Sequence, residues 1–195
     1  MRTLANLALV AAMTVPAIFA QSAPAPKKAP EFTLVEPSGK QTLLSSEKGK
    51  VTVLAFILTT CPHCQKECQM LTKLYQEMHP RGLEVMAAAV NDNASILVPG
   101  FVSEYQVGFP VGYATQDAMK SFMGFSDMMR WVVPQITVID RKGMIRAQSP
   151  YNGDPNLQTE SYMRNLLDGL LKEGGASTTK TGTKAPAKST ASNHQ

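Results

Sequence analysis

The sequence predicts an α/β protein, a central mixed β-sheet flanked by helices. Two long apolar runs, Lys50 to Leu58 and Leu83 to Val90, read as strands buried on both faces. Stretches with helical spacing of apolar residues lie between and after them, and this alternation of strand and helix defines the class. Hydrophobic residues make up 44% of the chain and charged residues 17%, an ordinary globular balance. A domain of roughly 140 residues has enough chain to bury its own core.

The elements follow in order. Phe32 to Val35, the turn Pro37-Ser38-Gly39-Lys40 and Thr42 to Leu44 form an N-terminal β-hairpin extension. After the first buried strand, Pro62 opens a helix that runs to about Met78. Proline suits the first turn, where its missing N–H has no intrahelical partner to lose. Leu71, Leu74, Tyr75 and Met78 supply the apolar stripe of that helix. Ala94 to Tyr105 is helical, interrupted at Pro99-Gly100. Val111 to Tyr113 is a short strand and Asp117 to about Met123 a short helix. Ile136 to Ile139 and Met144 to Gln148 pair across Asp140-Arg141-Lys142-Gly143. Asn156 to Leu171 closes the domain as a helix.

The ends have a different composition. Arg2 and the apolar stretch Leu4 to Phe19 read as a signal peptide over residues 1–20, with cleavage after Ala20 and with Ala17 and Ala23 as other positions. An uncleaved anchor is the competing reading, while a lipid anchor on cysteine is excluded because no cysteine lies nearby. Residues 21–28 are a Pro/Ala linker ahead of a domain at 29–172. Residues 173–195 are a Lys/Ser/Thr-rich tail with too little apolar surface to offset the entropy of ordering, and disorder is expected there. A signal peptide places the protein in the periplasm or outside the cell, in a bacterial envelope.

The net charge of +4 also belongs to the ends. Arg2, Lys27 and Lys28 lie at one, and Lys180, Lys184 and Lys188 outnumber Glu173 at the other. The domain between them is near neutral, which argues against a nucleic-acid partner, since that needs a basic face on the folded part.

The chemistry concentrates in Cys61-Pro62-His63-Cys64. This Cys-x-x-Cys falls just after a buried strand and at the start of a helix. There the first cysteine meets unpaired backbone N–H groups and the positive end of the helix dipole. Both favour the thiolate, the nucleophile of disulfide exchange. Cys61 is thus the predicted attacker, and Cys64, one turn later, the predicted resolving thiol. An imidazolium or N–H from His63 close to Cys61 would stabilise the thiolate and make the disulfide a stronger oxidant. The plainer reading of His63 is a solvent-facing side chain.

Three other uses of the cysteines compete with this one. Half of a zinc site needs four ligands, and only Cys68, His79 and His194 remain to complete one. Cys64 and Cys68 have the Cys-x-x-x-Cys spacing of Sco-type copper chaperones, but residues 80–193 hold no histidine to complete that family's site. A thiol peroxidase would carry a threonine three residues before its cysteine, where this chain has Leu58. No metal or organic cofactor is therefore expected. Cys68 is either a small buried apolar residue or a third redox thiol. A redox-inert binding module is the non-enzymatic alternative.

Val51-Thr52-Val53-Leu54-Ala55-Phe56-Ile57-Leu58-Thr59-Thr60-Cys61-Pro62-His63-Cys64 resembles the strand–turn–helix of the thioredoxin superfamily. The lead-in Ala29-Pro30-Glu31-Phe32-Thr33-Leu34, with Ser38-Gly39-Lys40, Leu43 and Lys48-Gly49-Lys50, resembles its TlpA/ResA-like and AhpC/TSA-like redoxin branch. Pro62-His63 is similar to the dipeptide of DsbA-type oxidases. The resemblance spans roughly 29–172 and implies a thioredoxin-like fold and thiol–disulfide oxidoreductase activity on protein thiols or disulfides. It also implies a membrane electron donor or acceptor, and a cis-proline facing the cysteines. Pro134 is the candidate, with Val133 reading substrate by β-type hydrogen bonds. Pro62 and Trp131 are further substrate-surface candidates, with a half-buried core position as the alternative for Trp131.

The chain departs from the thioredoxin pattern at two places. Thr60 stands where the tryptophan would, and the buried acid position falls at about Ala55. The proton shuttle must come from elsewhere, with Glu47, Glu67 and water as candidates. Direction of electron flow is open, since His63 favours an oxidant and the ResA-like lead-in a reductant.

Overall fold

The structure is a computed structural model, and it describes residues 27–173. The strands are β1 Lys27–Lys28, β2 Thr33–Val35, β3 Gln41–Leu43, β4 Val51–Ile57, β5 Leu83–Ala89, β6 Val111–Tyr113, β7 Gln135–Ile139 and β8 Met144–Gln148. The helices are α1 Pro62–Met78, α2 Ala94–Glu104, α3 Gln116–Met123 and α4 Glu160–Glu173. All eight strands form one sheet in the order β1-β8-β7-β4-β5-β6-β2-β3.

β4 is central because all seven of its residues are buried. It runs parallel to β5 and antiparallel to β7. Its side chains alternate between two cores, as the pleat requires. Val51, Val53, Ala55 and Ile57 face Leu71 and Leu74 of α1, Phe101 of α2 and Leu167 of α4. Leu54 and Phe56 face Met119 and Phe122 of α3 and Phe32 of the N-terminal segment. Phe32 meets Phe56 edge-on, with ring centroids 5.2 Å apart.

The predicted hairpin β2–β3 joins the main sheet at a single register pair, Val35 opposite Tyr113. Gly112 makes this approach possible. A Cβ there would lie 2.3 Å from the Val35 carbonyl oxygen, a contact no side chain survives.

Three boundaries differ from the sequence reading. Lys27–Lys28, assigned to the linker, pair with Met144 and Ile145 as an edge strand, while the remainder of the linker, the signal segment and residues 174–195 lie outside the described residues. α2 passes through Pro99 without interruption. The proline removes one donor, which would have met the carbonyl of exposed Ser95, a group that water can reach. α4 starts at Glu160 instead of Asn156, since residues 156–159 form a turn closed by the Thr159 N–H on the Asn156 carbonyl at 3.0 Å. No described helix is long and apolar enough to cross a membrane.

The sheet order positions the site. Because β4 and β7 are antiparallel, with Phe56 opposite Gln135, the residues that follow β4 lie beside those that precede β7. The first group contains Cys61 and the second contains Val133 and Pro134.

Candidate active site

Cys61 is the N-cap of α1, in extended backbone conformation with φ −86° and ψ 118°. Its sulfur accepts the Cys64 N–H at 3.4 Å, so a side-chain acceptor caps one of the orphan donors of the helix. Pro62 occupies the first turn and is exposed. The Val133–Pro134 peptide bond is cis, and the Val133 carbonyl oxygen lies 3.9 Å from the Cys61 sulfur. Cys61 is half-buried and Cys64 fully buried, and both are free thiols. The outer sulfur is open to a partner, and the inner one sits beneath it. Burial pushes the Cys64 thiol well above the usual thiol range, and contact with Cys61 adds to this.

Around this pair the structure separates the remaining candidates. His63 is exposed on the first turn of α1 and makes no hydrogen bond among the described residues. Trp131 is half-buried and packs against the α3-side core. Val132 and Tyr151 are exposed, at 48% and 47%. The Val132 N–H donates to the Tyr151 carbonyl at 3.0 Å. Buried Gln135 donates from Nε2 to both the Val132 carbonyl at 2.8 Å and the Tyr151 carbonyl at 3.3 Å. Sequence reasoning missed Gln135 and Tyr151, whose partners lie far along the chain or across a turn.

Cys68 is fully buried within the α1-side core, and its thiol is pushed up to about 12, first by burial and then by Glu67. That environment matches the small buried apolar reading. The proton-shuttle candidates also part. Glu47 pairs with Lys50 ahead of β4, at the opposite end of that strand from Cys61. A seven-residue strand spans about 23 Å, so Glu47 is too remote to serve the thiols. Glu67 lies one turn beyond Cys64, is buried, and has an Oε1 without a hydrogen-bond partner among the described residues. Burial pushes its carboxyl up to about 8. Ala55 confirms that β4 carries no acid at this level.

Metal chemistry finds little support in the geometry. No group of three or more His, Cys, Asp or Glu among the described residues is arranged to hold a metal ion. His79 lies at the far end of α1, with Nδ1 3.0 Å from the Leu83 carbonyl. His194 lies outside the described residues.

A model of the AhpC/TSA family matches residues 25–148, well over half of the chain. The chain belongs to the AhpC/TSA family. Within it, the chain is similar to thiol-disulfide oxidoreductase ResA of Bacillus thuringiensis subsp. konkukian (strain 97-27), 36% identical over 140 residues that cover 72% of this chain and 77% of the relative. ResA of Bacillus anthracis is 29% identical over the same shares of the two chains. Among solved structures, a thioredoxin-family thiol:disulfide interchange protein from Chlorobium tepidum TLS superposes with TM-score 0.64 at 24% identity, covering 77% of this chain and 99% of that one. A protein described as a putative thioredoxin from Neisseria meningitidis superposes with TM-score 0.61 at 26% identity, covering 77% and 94%. This family member is a thiol–disulfide oxidoreductase with a thioredoxin-like fold.

Proposed function

We propose that this AhpC/TSA-family protein exchanges disulfides with protein substrates through Cys61 as attacking thiolate and Cys64 as resolving thiol. One observation carries the assignment. The half-buried Cys61 sulfur sits between the Cys64 N–H and the Val133 carbonyl, with the Cys64 thiol buried beneath it. Such a sulfur is reachable by a partner, and it stands at a helix start whose backbone N–H groups lack intrahelical acceptors.

In the reducing direction, Cys61 attacks one sulfur of a substrate disulfide. A mixed disulfide forms and the first substrate thiolate leaves. Cys64 then loses its proton and attacks the Cys61 sulfur, so the second thiolate leaves and a Cys61–Cys64 disulfide remains. Two electrons pass to the substrate. The oxidising direction is the reverse. Glu67 serves as the acceptor and donor of the Cys64 proton, being one turn away, buried, and able to hold a proton up to about pH 8. Val133 and Pro134 present the edge on which a substrate strand lies, and Pro62 borders it.

The protein works outside the cytoplasm of a bacterium. Arg2 and the apolar segment Leu4 to Phe19 support export, and a membrane electron donor or acceptor would return the pair to its working state.

The deciding experiment is the reduction potential of the Cys61–Cys64 pair, read by mass spectrometry of alkylated protein across glutathione buffers. A value near about −120 mV makes the protein an oxidant of disulfide formation, and one near about −270 mV a reductant. Failure to form a reversible disulfide at any ratio overturns the exchange mechanism.

A further inference from the structure

Thr59 is the residue at which the chain leaves β4 for the active site, and both of its main-chain polar groups are held by side chains. Its N–H donates to Asn91 Oδ1 at 3.0 Å, and its hydroxyl donates to the same oxygen at 3.4 Å. Its carbonyl accepts from Gln65 Nε2 at 3.2 Å. Neither amide is free to turn over. Asn91 Nδ2 donates to the Asp92 carbonyl at 3.0 Å, which fixes Oδ1 as the atom facing Thr59. Gln65 can meet a carbonyl only with its NH2 group. Gln65 is itself tied to the site, since its backbone N–H donates to the Cys61 carbonyl at 3.1 Å.

The strand ladder explains the arrangement. The last β4–β5 rung is the Val90 N–H on the Ile57 carbonyl at 2.9 Å. The next donor along β4 that could continue it is the Thr59 N–H, and the chain of β5 is already turning away there. The Asn91 side chain supplies the missing acceptor and adds one rung. Gln65 then reaches back from the first turns of α1 to the other side of the same residue. Two residues later, the Cys61 N–H closes on the Leu58 carbonyl at 3.1 Å, and the sulfur takes its place between Cys64 N–H and Val133 O.

We propose that Asn91 and Gln65 are positioning residues that grip the Thr59 main chain from both sides and thereby set where the Cys61 sulfur stands. The inference rests on the reading of Cys61 as the attacking thiol. A hydrogen bond to sulfur weakens steeply with misalignment, and a displacement of about 1 Å at a reacting atom can cost a hundredfold in rate. Releasing the Asn91 grip frees the Leu58–Thr59 peptide to rotate, and releasing the Gln65 grip frees the Thr59–Thr60 peptide, both ahead of Cys61. The sulfur then drifts from the Cys64 N–H that it accepts, while the Val133 carbonyl stays in place.

The test uses the full chain with Asn91→Ala, Gln65→Ala and Thr59→Val, and a synthetic peptide carrying a glutathione mixed disulfide as substrate. The alanine variants are expected to lose about tenfold in kcat with KM within about twofold. The equilibrium of the Cys61–Cys64 pair with glutathione should shift at least about threefold toward the disulfide, because the reduced form loses the Cys64 N–H contact at the Cys61 sulfur. Thr59→Val keeps the N–H and carbonyl grips and should match the parent in all three. Combining the alanines should cost less than the product of the two single losses, as for residues that act as a unit. Gln65 is half-exposed in a helix where alanine is favourable, so that variant folds and decides the matter if Asn91→Ala does not. Unchanged kcat and unchanged equilibrium in the folded alanine variants, with only a lower melting temperature, would overturn the proposal. Persistent turnover in Cys61→Ser would instead overturn the attacker assignment on which it rests.

Discussion

The Val133 carbonyl oxygen stands 3.9 Å from the Cys61 sulfur across 72 residues of sequence. The antiparallel pairing of β4 with β7 creates this meeting, because it places the exit of one strand beside the entrance of the other. A substrate strand pairing along Val133 therefore delivers its own sulfur to Cys61 and not to buried Cys64. Cys64→Ser should accumulate a mixed disulfide between Cys61 and substrate, visible as an adduct by non-reducing mass spectrometry. Cys61→Ser should form none. Adducts on Cys64 in that variant would reverse the two roles.

Gln135 ties the substrate edge together. Its Nε2 holds the Val132 and Tyr151 carbonyls, so Gln135→Leu leaves both acceptors without this donor. The Tyr151 carbonyl keeps the Val132 N–H, so only the Val132 carbonyl loses its side-chain donor, at about 1–3 kcal/mol, and removal of the buried, unpaired Gln135 Oε1 offsets part of that. A net loss of about 1 kcal/mol in urea unfolding is expected, with a rise in KM larger than the fall in kcat. An unchanged KM at reduced stability would show that the edge keeps its shape without the amide.

How much was legible beforehand follows from the range of each interaction. β4 and α1 could be read because a buried strand is a continuous apolar run and Pro62 marks the first helical turn. The pairing of Cys61 with Cys64 lies within one turn and was visible for the same reason. Pro134 was reached only through a family resemblance, since nothing local to Val133-Pro134 shows which strand ends it faces. Asn91 and Gln135 are ordinary polar residues in sequence. Their meaning comes from partners such as Thr59, 32 residues away, that only the folded sheet brings within reach. Glu47 and Glu67 looked equivalent as proton carriers. The fold separates them by placing one before β4 and the other buried on α1, one turn after Cys64.

Gly112 lets β2 close on β6, and Gly112→Ala tests how firmly the hairpin belongs to the domain. The added Cβ would be 2.3 Å from the Val35 carbonyl oxygen and 2.9 Å from Leu34 Cδ1. The backbone of β2 must move away, and fully buried Leu34 loses packing with it. A destabilisation of about 1–3 kcal/mol is expected from such overpacking. Exchange kinetics should hold near parent values at temperatures where the variant stays folded, because Cys61, the N-cap of α1, and Val133, ahead of β7, belong to neither β2 nor β6. Equal stability of parent and variant would mean that β2 relaxes at no cost.

Glu67 gives a pH dependence whose sign is unusual for a carboxylate. Burial raises its folded value from 4.5 to about 8, so the folded state holds a proton that the unfolded state has already released. Between those values the unfolded chain binds fewer protons at this residue, and stability falls as pH rises. The contribution is fully favourable below about pH 4.5, declines through the window, and reaches its least favourable level above about pH 8. At about 1.4 kcal/mol per pH unit, the loss by pH 7 is on the order of 3 kcal/mol. Glu67→Gln keeps the shape and cannot ionise. Urea unfolding of parent and variant at pH 5 and pH 8 isolates the effect, since every other titrating group cancels in the difference. The variant should gain on the parent as pH rises. If Glu67 carries the Cys64 proton as proposed, the variant's kcat should fall at neutral pH as well. Parallel stability curves for the two proteins would mean that the carboxyl is solvated and titrates as it does in the unfolded chain.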